Sequence, residues 1–547
     1  MRLQWAYAER PGTISFCSPN CSRADKGRWC TVVGAIFEKR IKRLARQQLL
    51  GGLRGVEREC LRVTGAGRVA PTPHPRELGS ALTHRYITTD FAEALLELIT
   101  PPAKSNRDIS DWLAALHEFV LGQIAAELIW PASMPPAILD DGDLQPAQYG
   151  ASNIGMLKHV YRLGLANRYG PRMQAISGIH FNYSPPPELW SALPYQDGSP
   201  SGMAAKRSSW MMGQMRNTRR LAWLPTYLLG ASPAFHSSLS ATRPISLKKG
   251  RGGTLYAPDA TSLRMSTLGY TSALQAGLTI SANSLHQYVR DLEAAVHAPH
   301  AGYARLGVRA NGEYRQLSDS VLQVENEYYS PARPKRRIRR GERAATALRR
   351  RGVEYLELRL VDADPFEPLG VSAGSMRFME AFLLYCLLEE SPPMPAHEHL
   401  ASMSNLDTTA WRGRAKNAKL FRDGREVRLR DWGLEVCDGL APLCEALDGQ
   451  PDGPCGKALQ AARECLRDPQ LAPAARVLDE LGEAGWDHQA WGMDKALAAS
   501  QPPLVPPNSA RRRALREEAP ASLKRQDSME ALEEPPFDEF LARYLAA

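Results

Sequence analysis

The chain has 547 residues, 44% of them hydrophobic, enough for one large domain with appendages or for several ordinary ones. Its 68 basic and 59 acidic residues leave a formal charge of +9, which suits anionic small molecules or nucleic acid, or carries no specific meaning. No apolar run approaches the roughly 18 residues of a membrane span, and the first residues lack an apolar core of signal-peptide length, so neither membrane insertion nor export is expected.

Residues 1–30 read as an irregular extension without a sustained period. Cys17, Cys21 and Cys30 fall there, but no histidine lies near them to complete a zinc site. Free thiols in a reducing cytoplasm fit the scattered cysteines better. Residues 31–50 have helical spacing with a basic face.

GVERECLRV, residues 55–63, alternates as a strand. Glu57, Glu59, Leu61 and Val63 share one face; Val56, Arg58, Cys60 and Arg62 share the other. Two carboxylates about 7 Å apart on one face repel unless a cation neutralises them. THRYITTDFAEALLELITPP (83–102) carries Asp90 and ends in a short apolar strand that places Glu97 beside Leu95 and Ile99. YRLGLANRYG (161–170) supplies Tyr161 and Arg162. ISGIHFNYS (176–184) sets Gly178, His180 and Asn182 on one face.

SLKKGRGGTLY (246–256) is basic and glycine-rich but lacks the pattern of a phosphate-binding P-loop. ATSLRMSTLGYT (260–271) combines Arg264 with Tyr270. An arginine fork binds a carboxylate at two points, which suits an amino-acid substrate. VLQVENEYYSPARPKR (321–336) puts Gln323, Glu325 and Glu327 on one face if it is a strand. The basic run 333–343 reads as a solvated loop, because it has no interleaved aromatics for nucleic acid. VEYLELRL (353–360) groups Val353, Tyr355, Glu357 and Arg359. Several strands thus offer acids to one side. A sheet with helices behind it and an acidic front would gather them, and hard divalent cations with oxygen ligands would relieve the cluster.

From about residue 376 the pattern is mainly helical. Residues 501–530 read as a mobile linker, and FDEFLARYLAA as a short docked helix.

These blocks, in this order, resemble the glutamate–cysteine ligase family in its proteobacterial form. The resemblance covers residues 31–400 well, as a catalytic core, and the helical part 401–500 more loosely. It implies an α+β fold related to glutamine synthetase, in which a curved, largely antiparallel sheet forms a funnel-shaped active site with helices packed outside. It implies ATP, L-glutamate and L-cysteine as substrates, with magnesium or manganese. Carried over by residue, the metal ligands would be Glu57, Glu59, Asp90, Glu97, His180 and Glu357. Arg359 would approach the transferring phosphoryl group or the glutamate. Arg264 would hold the substrate carboxylate, Tyr161, Tyr270 and Tyr329 would line the cysteine pocket, and Arg162 would pair with Tyr161. Cys60 departs from the expected small residue, and its place on the opposite face predicts packing.

The reaction expected is ligation of the glutamate γ-carboxylate to the cysteine amine through a γ-glutamyl phosphate. A monomer in the cytoplasm is expected, with no nucleic-acid or membrane partner. A ligase of the same fold that uses another amine, or an inactive binding protein, are the alternatives. A two-step enzyme is disfavoured, because the residues after 400 are too few and too helical for a second ATP-binding domain.

Overall fold

The computed structural model describes residues 29–547 except 125, 196–201, 241–246, 270–276, 451 and 501–508. Almost all of the expected N-terminal extension, and Tyr270, lie outside the described residues.

Strand alternation builds the centre of the molecule. Seven strands form one sheet: β1 (Leu53–Thr64), β2 (Ile87–Thr89), β3 (Leu95–Ile99), β4 (Glu127–Ile129), β5 (Ile179–Ser184), β6 (Ala332–Lys335) and β7 (Tyr355–Val361). Their order is β6-β7-β5-β1-β3-β2, with β4 on the far end of β1, and each pairing is antiparallel. Register sets Glu57 opposite His180 and Glu59 opposite Glu97. Glu357 lies opposite Asn182. A slip of one residue would send these groups into the core, so the apolar residues between them fix the register. The pairing of β7 with β5 shifts between Leu358 and Val361, a local irregularity at Arg359.

Nine helices matter here: α1 (Trp29–Arg43), α2 (Asn106–Leu121), α3 (Asn153–Tyr169), α4 (Met203–Leu221), α5 (Ala373–Leu388), α6 (Leu429–Asp448), α7 (Pro454–Arg467), α8 (Ala510–Glu530) and α9 (Phe537–Ala546). The back of the sheet is apolar. Val56, Phe181, Leu356 and Leu358 pack with Met211 and Met215 of α4 and Phe382 of α5. Cys60, Leu96 and Leu98 pack with Leu116 and Val120 of α2. Each such side chain contributes about 1.5–3 kcal/mol when fully buried. The Cys60 thiol is pushed up to about 11 by burial, as a packing role requires. Helices α6 and α7 extend the same core through Leu440, Leu443, Leu459 and Leu466.

Two elements differ from the sequence reading. Glu325–Glu327 form a single 3-10 turn before β6, so Gln323, Glu325 and Glu327 do not share a strand face. Tyr-Tyr-Ser-Pro follows that turn, and only Ala332–Lys335 joins the sheet. Residues 510–530, read as part of a mobile linker, form α8, capped by the Ser509 side chain accepting from the Arg512 amide. Its arginines find carboxylates on α2: Arg511 pairs with Asp108 and Asp111, and Arg512 with Glu118. Leu515 is buried with Leu116 and Val120 of α2, and this packing, with the ion pairs, outweighs the charge and proline content that suggested a linker.

Candidate active site

The front of the sheet faces a cavity of about 800 Å³. Its floor comes from alternate residues of three adjacent strands, Glu57 and Glu59 on β1, Glu97 on β3 and His180 on β5, with Glu357 and Arg359 from β7. Helix α3 forms one wall. Lys158, Tyr161, Arg162, Leu165 and Arg168 lie at helical spacing and all face the cavity. The Ser152 side chain caps this helix by accepting from the Gly155 amide.

Glu57, Glu97 and His180 each offer a ligand atom within 4.8 Å of the others. His180 Nδ1 lies 3.0 Å from one Glu57 oxygen, and Asn182 Nδ2 donates to the other at 2.7 Å. His180 Nε2 is 3.3 Å from Glu59 but makes no hydrogen bond, although it is buried. Gly178 N donates to Glu59 at 2.7 Å. Glu357 sits between Lys335 and Arg359, each at 3.3 Å, and its Oε2 has no hydrogen-bond donor.

The electrostatics follow from this crowding. Burial pushes the Glu97 carboxyl well up, and the charges of Glu57, Asp90 and Glu59 push it further. Glu59 is also raised, by burial first and then by Asp90, against the pull of His180, Arg264 and Arg359. Burial would raise Glu57 too, but its hydrogen bond with His180 and the charges of His180 and Lys335 leave it below its ordinary value. For Glu357 the opposition to burial comes from Lys335, Arg359, His180 and Arg333, which hold it low. Carboxylates split between raised and lowered in one floor mark a site short of positive charge at its centre. Four carboxylates and one imidazole, with His180 Nε2 and Glu357 Oε2 buried and without hydrogen-bond partners, fit magnesium or manganese.

Asp90 follows β2 and lines the cavity. Arg162 holds it indirectly. Its guanidinium donates to the Asp90 and Thr89 carbonyls, and to that of Lys158 at 2.9 Å, so the fork is spent on main chain. Tyr161 and Tyr329 both line the cavity. Arg264 does not stand where the carboxylate-fork expectation put it. It is 2% exposed, is not on the cavity wall, and donates to the Arg359 carbonyl at 2.9 Å, with Asp362 3.7 Å away. Buried Asp362 is in turn held by Ser232, Ser262 and the Ala231 amide. Arg264 therefore lies beneath the floor, where its charge acts on Glu59 and its side chain bonds the Arg359 main chain.

Sequence reasoning missed part of the site. Glu325 and Glu327 are not open acids, because Arg343 and Arg168 pair with them at 3.0 Å. The basic run is more than a solvated loop: Arg333, Lys335, Arg339 and Arg340 line the cavity, with Arg333 buried and Lys335 against Glu357 on the floor. The alternation of Arg333 and Lys335 with Pro334 in the 332–335 strand was the available signal for those two. Lys158 was also overlooked. Its ammonium lies 4.3 Å above the Tyr149 ring, and burial, then Arg162, pulls its pKa down to about 7.

An antiparallel sheet with helices outside carries an acidic, metal-fitting floor and basic residues in one cavity, an arrangement suited to an enzyme that handles phosphates with a divalent cation. The comparisons narrow this. The sequence model described as glutamate-cysteine ligase matches residues 39–409. A glutamate–cysteine ligase of Azotobacter vinelandii is 44% identical over 94% of this chain and 98% of its own length. One of Alcanivorax borkumensis is 41% identical over 93% and 99%. The crystal structure of the Francisella tularensis glutamate–cysteine ligase, in complex with AMP, superposes with a TM-score of 0.85 at 35% identity, over 91% of this chain and 98% of that one. A bifunctional glutathione synthetase of Pasteurella multocida matches with a TM-score of 0.62 at 26% identity, over 85% of this chain but 53% of that one. The chain belongs to the glutamate–cysteine ligase family.

Proposed function

We propose that the protein joins the γ-carboxylate of L-glutamate to the amine of L-cysteine, with ATP converted to ADP and phosphate, giving γ-glutamylcysteine for glutathione biosynthesis. The observation that supports this reading is the floor itself, where Glu57, Glu59, Glu97, His180 and Glu357 meet Arg359 and Lys335 in one cavity.

A free carboxylate does not acylate an amine at a useful rate, so it must first become a better acyl donor. Phosphoryl transfer from ATP to the γ-carboxylate gives a γ-glutamyl phosphate, which the amine of cysteine then attacks with loss of phosphate. Magnesium or manganese held by Glu57, Glu59, Asp90, Glu97, His180 and Glu357 would neutralise phosphate charge in that transfer. Arg359, on the same strand face as Glu357, reaches the transferring group, and Arg264 holds the Arg359 main chain in place from below. Arg339 and Arg340 at the mouth receive the polyphosphate. Tyr161 and Tyr329 wall the cysteine pocket, for which the family resemblance also offers Tyr270, outside the described residues, and Arg162 fixes the Asp90 backbone. The enzyme acts as a monomer in the cytoplasm, a setting that its six buried, unpaired cysteines among the described residues suit.

The acyl-phosphate route is tested by supplying glutamate with ¹⁸O in its γ-carboxylate. One labelled oxygen should appear in released phosphate for each γ-glutamylcysteine formed. Unlabelled phosphate would sink the route.

A further inference from the structure

Residues 509–547 run across the outside of the site as a strap tied to three of its walls. On the first, α8 holds the loop that leads into β2 and Asp90. Ser80 N donates to Ser522 Oγ at 2.9 Å, and Thr83 Oγ1 donates to the Ser522 carbonyl at 2.5 Å. The approach is so close that a Cβ on Gly79 would stand 2.4 Å from Ser522 Oγ. On the second, the end of α8 and the chain between α8 and α9 grip the start of α3. Ala151 N donates to Glu530 at 3.0 Å, Asn153 N to Glu534 at 2.6 Å, and Asn153 Nδ2 to the Pro535 carbonyl at 2.9 Å. On the third, Arg343 donates to the Leu545 carbonyl at 3.0 Å, and Arg340 pairs with Glu534 at 3.3 Å.

Helix α9 then enters the site. Leu541 is buried among Leu157, Val160 and Leu317, with Tyr161 and Tyr544 packed against the same cluster. Tyr544 lines the catalytic cavity, next to Ile154 and Leu157. This end of the cavity is apolar and aromatic, away from the acidic floor, with Arg340 and Arg343 of the basic run at its outer edge. ATP and glutamate carry charges that the floor and rim answer. Adenine and the side chain of the amine are the two uncharged parts left, and Tyr161, which the ligase reading places in the amine pocket, packs in the same cluster as Tyr544 and assigns this end to the amine's mercaptomethyl-sized group.

We propose that Tyr544 is a substrate-contacting residue that closes the pocket for the side chain of the amine substrate and limits its size. The inference rests on the ligase reading above. The strap holds Tyr544 in register with Tyr161, because the ties at Asn153 and Arg343 fix α9 against α3 and the mouth together.

The test uses the full chain with Tyr544→Ala and Tyr544→Phe, and measures KM for cysteine, glutamate and ATP, together with relative kcat/KM for 2-aminobutyrate and norvaline. Removing a ring from a packed pocket wall should raise the cysteine KM on the order of tenfold, as changes of one or two buried groups do in apolar pockets. It should also raise the preference for norvaline over 2-aminobutyrate, and leave KM for ATP and glutamate within about twofold, a factor well below the tenfold of one 1.4 kcal/mol step. Tyr544→Phe should behave as the parent, because the ring makes the wall. If the alanine variant does not fold, Tyr544→Leu keeps the contact with Leu157 and should show the norvaline shift. An unchanged cysteine KM and an unchanged amine preference in a folded variant would overturn the proposal. Parent enzyme that releases phosphate with norvaline and never with cysteine would overturn the ligase reading instead.

Discussion

Replacing Glu97 by Gln should stabilise the metal-free protein at neutral pH while removing most of its response to magnesium. Ligand atoms of Glu57, Glu97 and His180 lie within 4.8 Å of one another. At that separation two unit charges repel by about 3.5 kcal/mol for an effective dielectric of about 20. Spread over an unfolding entropy of about 2.1 cal/mol/K per residue and 547 residues, the relief is a ceiling of about 3 °C in Tm. The pH dependence has a definite sign. The Glu97 carboxyl is raised in the folded protein by burial and by Glu57, Asp90 and Glu59. Its favourable contribution is therefore complete below the ordinary glutamate value and is lost as pH rises through the folded value. The Tm of the parent minus that of Glu97→Gln, both in EDTA, should fall as pH is raised from 5 to 8. Saturating magnesium selects the ionised carboxylates and should reverse the sign. At a hundredfold excess over Kd, binding is worth about 2.7 kcal/mol, or about 2 °C. The assay is thermal unfolding of both proteins across that pH range, with EDTA and with magnesium. Equal pH slopes and equal magnesium shifts in the two proteins would refute the reading of the floor as a cation site.

Arg359→Ala should lower kcat by roughly 10³–10⁵, the range of transferring-group arginines in other phosphoryl transferases, with a much smaller change in KM for ATP; steady-state kinetics decide, and a loss confined to KM would remove it from the transfer step. Glu57→Gln should abolish turnover and leave the circular dichroism spectrum intact, since Glu57 holds His180 and Asn182 on the front face and no core residue; full activity would refute its place in the metal set. Gly178→Ala would bring a methyl to 1.9 Å from Arg264 Nη2, deep in the protein, and displace either Arg264 or the Glu59-binding amide. A cost of about 1–3 kcal/mol, typical of overpacking, should appear in denaturant unfolding, with activity falling further than stability explains.

The floor was legible because a strand repeats every two residues. Polar groups at Glu57, Glu59, Glu97, His180 and Glu357 stood out against apolar neighbours, and the observed register joined them. The same rule misled at Gln323–Glu327, where period-2 acids sit on a 3-10 turn and answer Arg168 and Arg343 from distant elements. Arg264 illustrates a second limit. Its type suited a carboxylate, but only the fold shows that the Arg359 carbonyl and Asp362 occupy its surroundings. Residues 510–530 show a third: their charges looked solvated until α2 supplied Asp108, Asp111 and Glu118. In each case the missing information was the identity of a partner far away in sequence.

The central claim is the reaction, and the most direct test is phosphate release from ATP by the purified protein with magnesium and glutamate, with and without cysteine, the product being identified by mass. Cysteine-dependent release matched one for one by γ-glutamylcysteine is the predicted result. Release that ignores cysteine, or that yields a different amide, would contradict it.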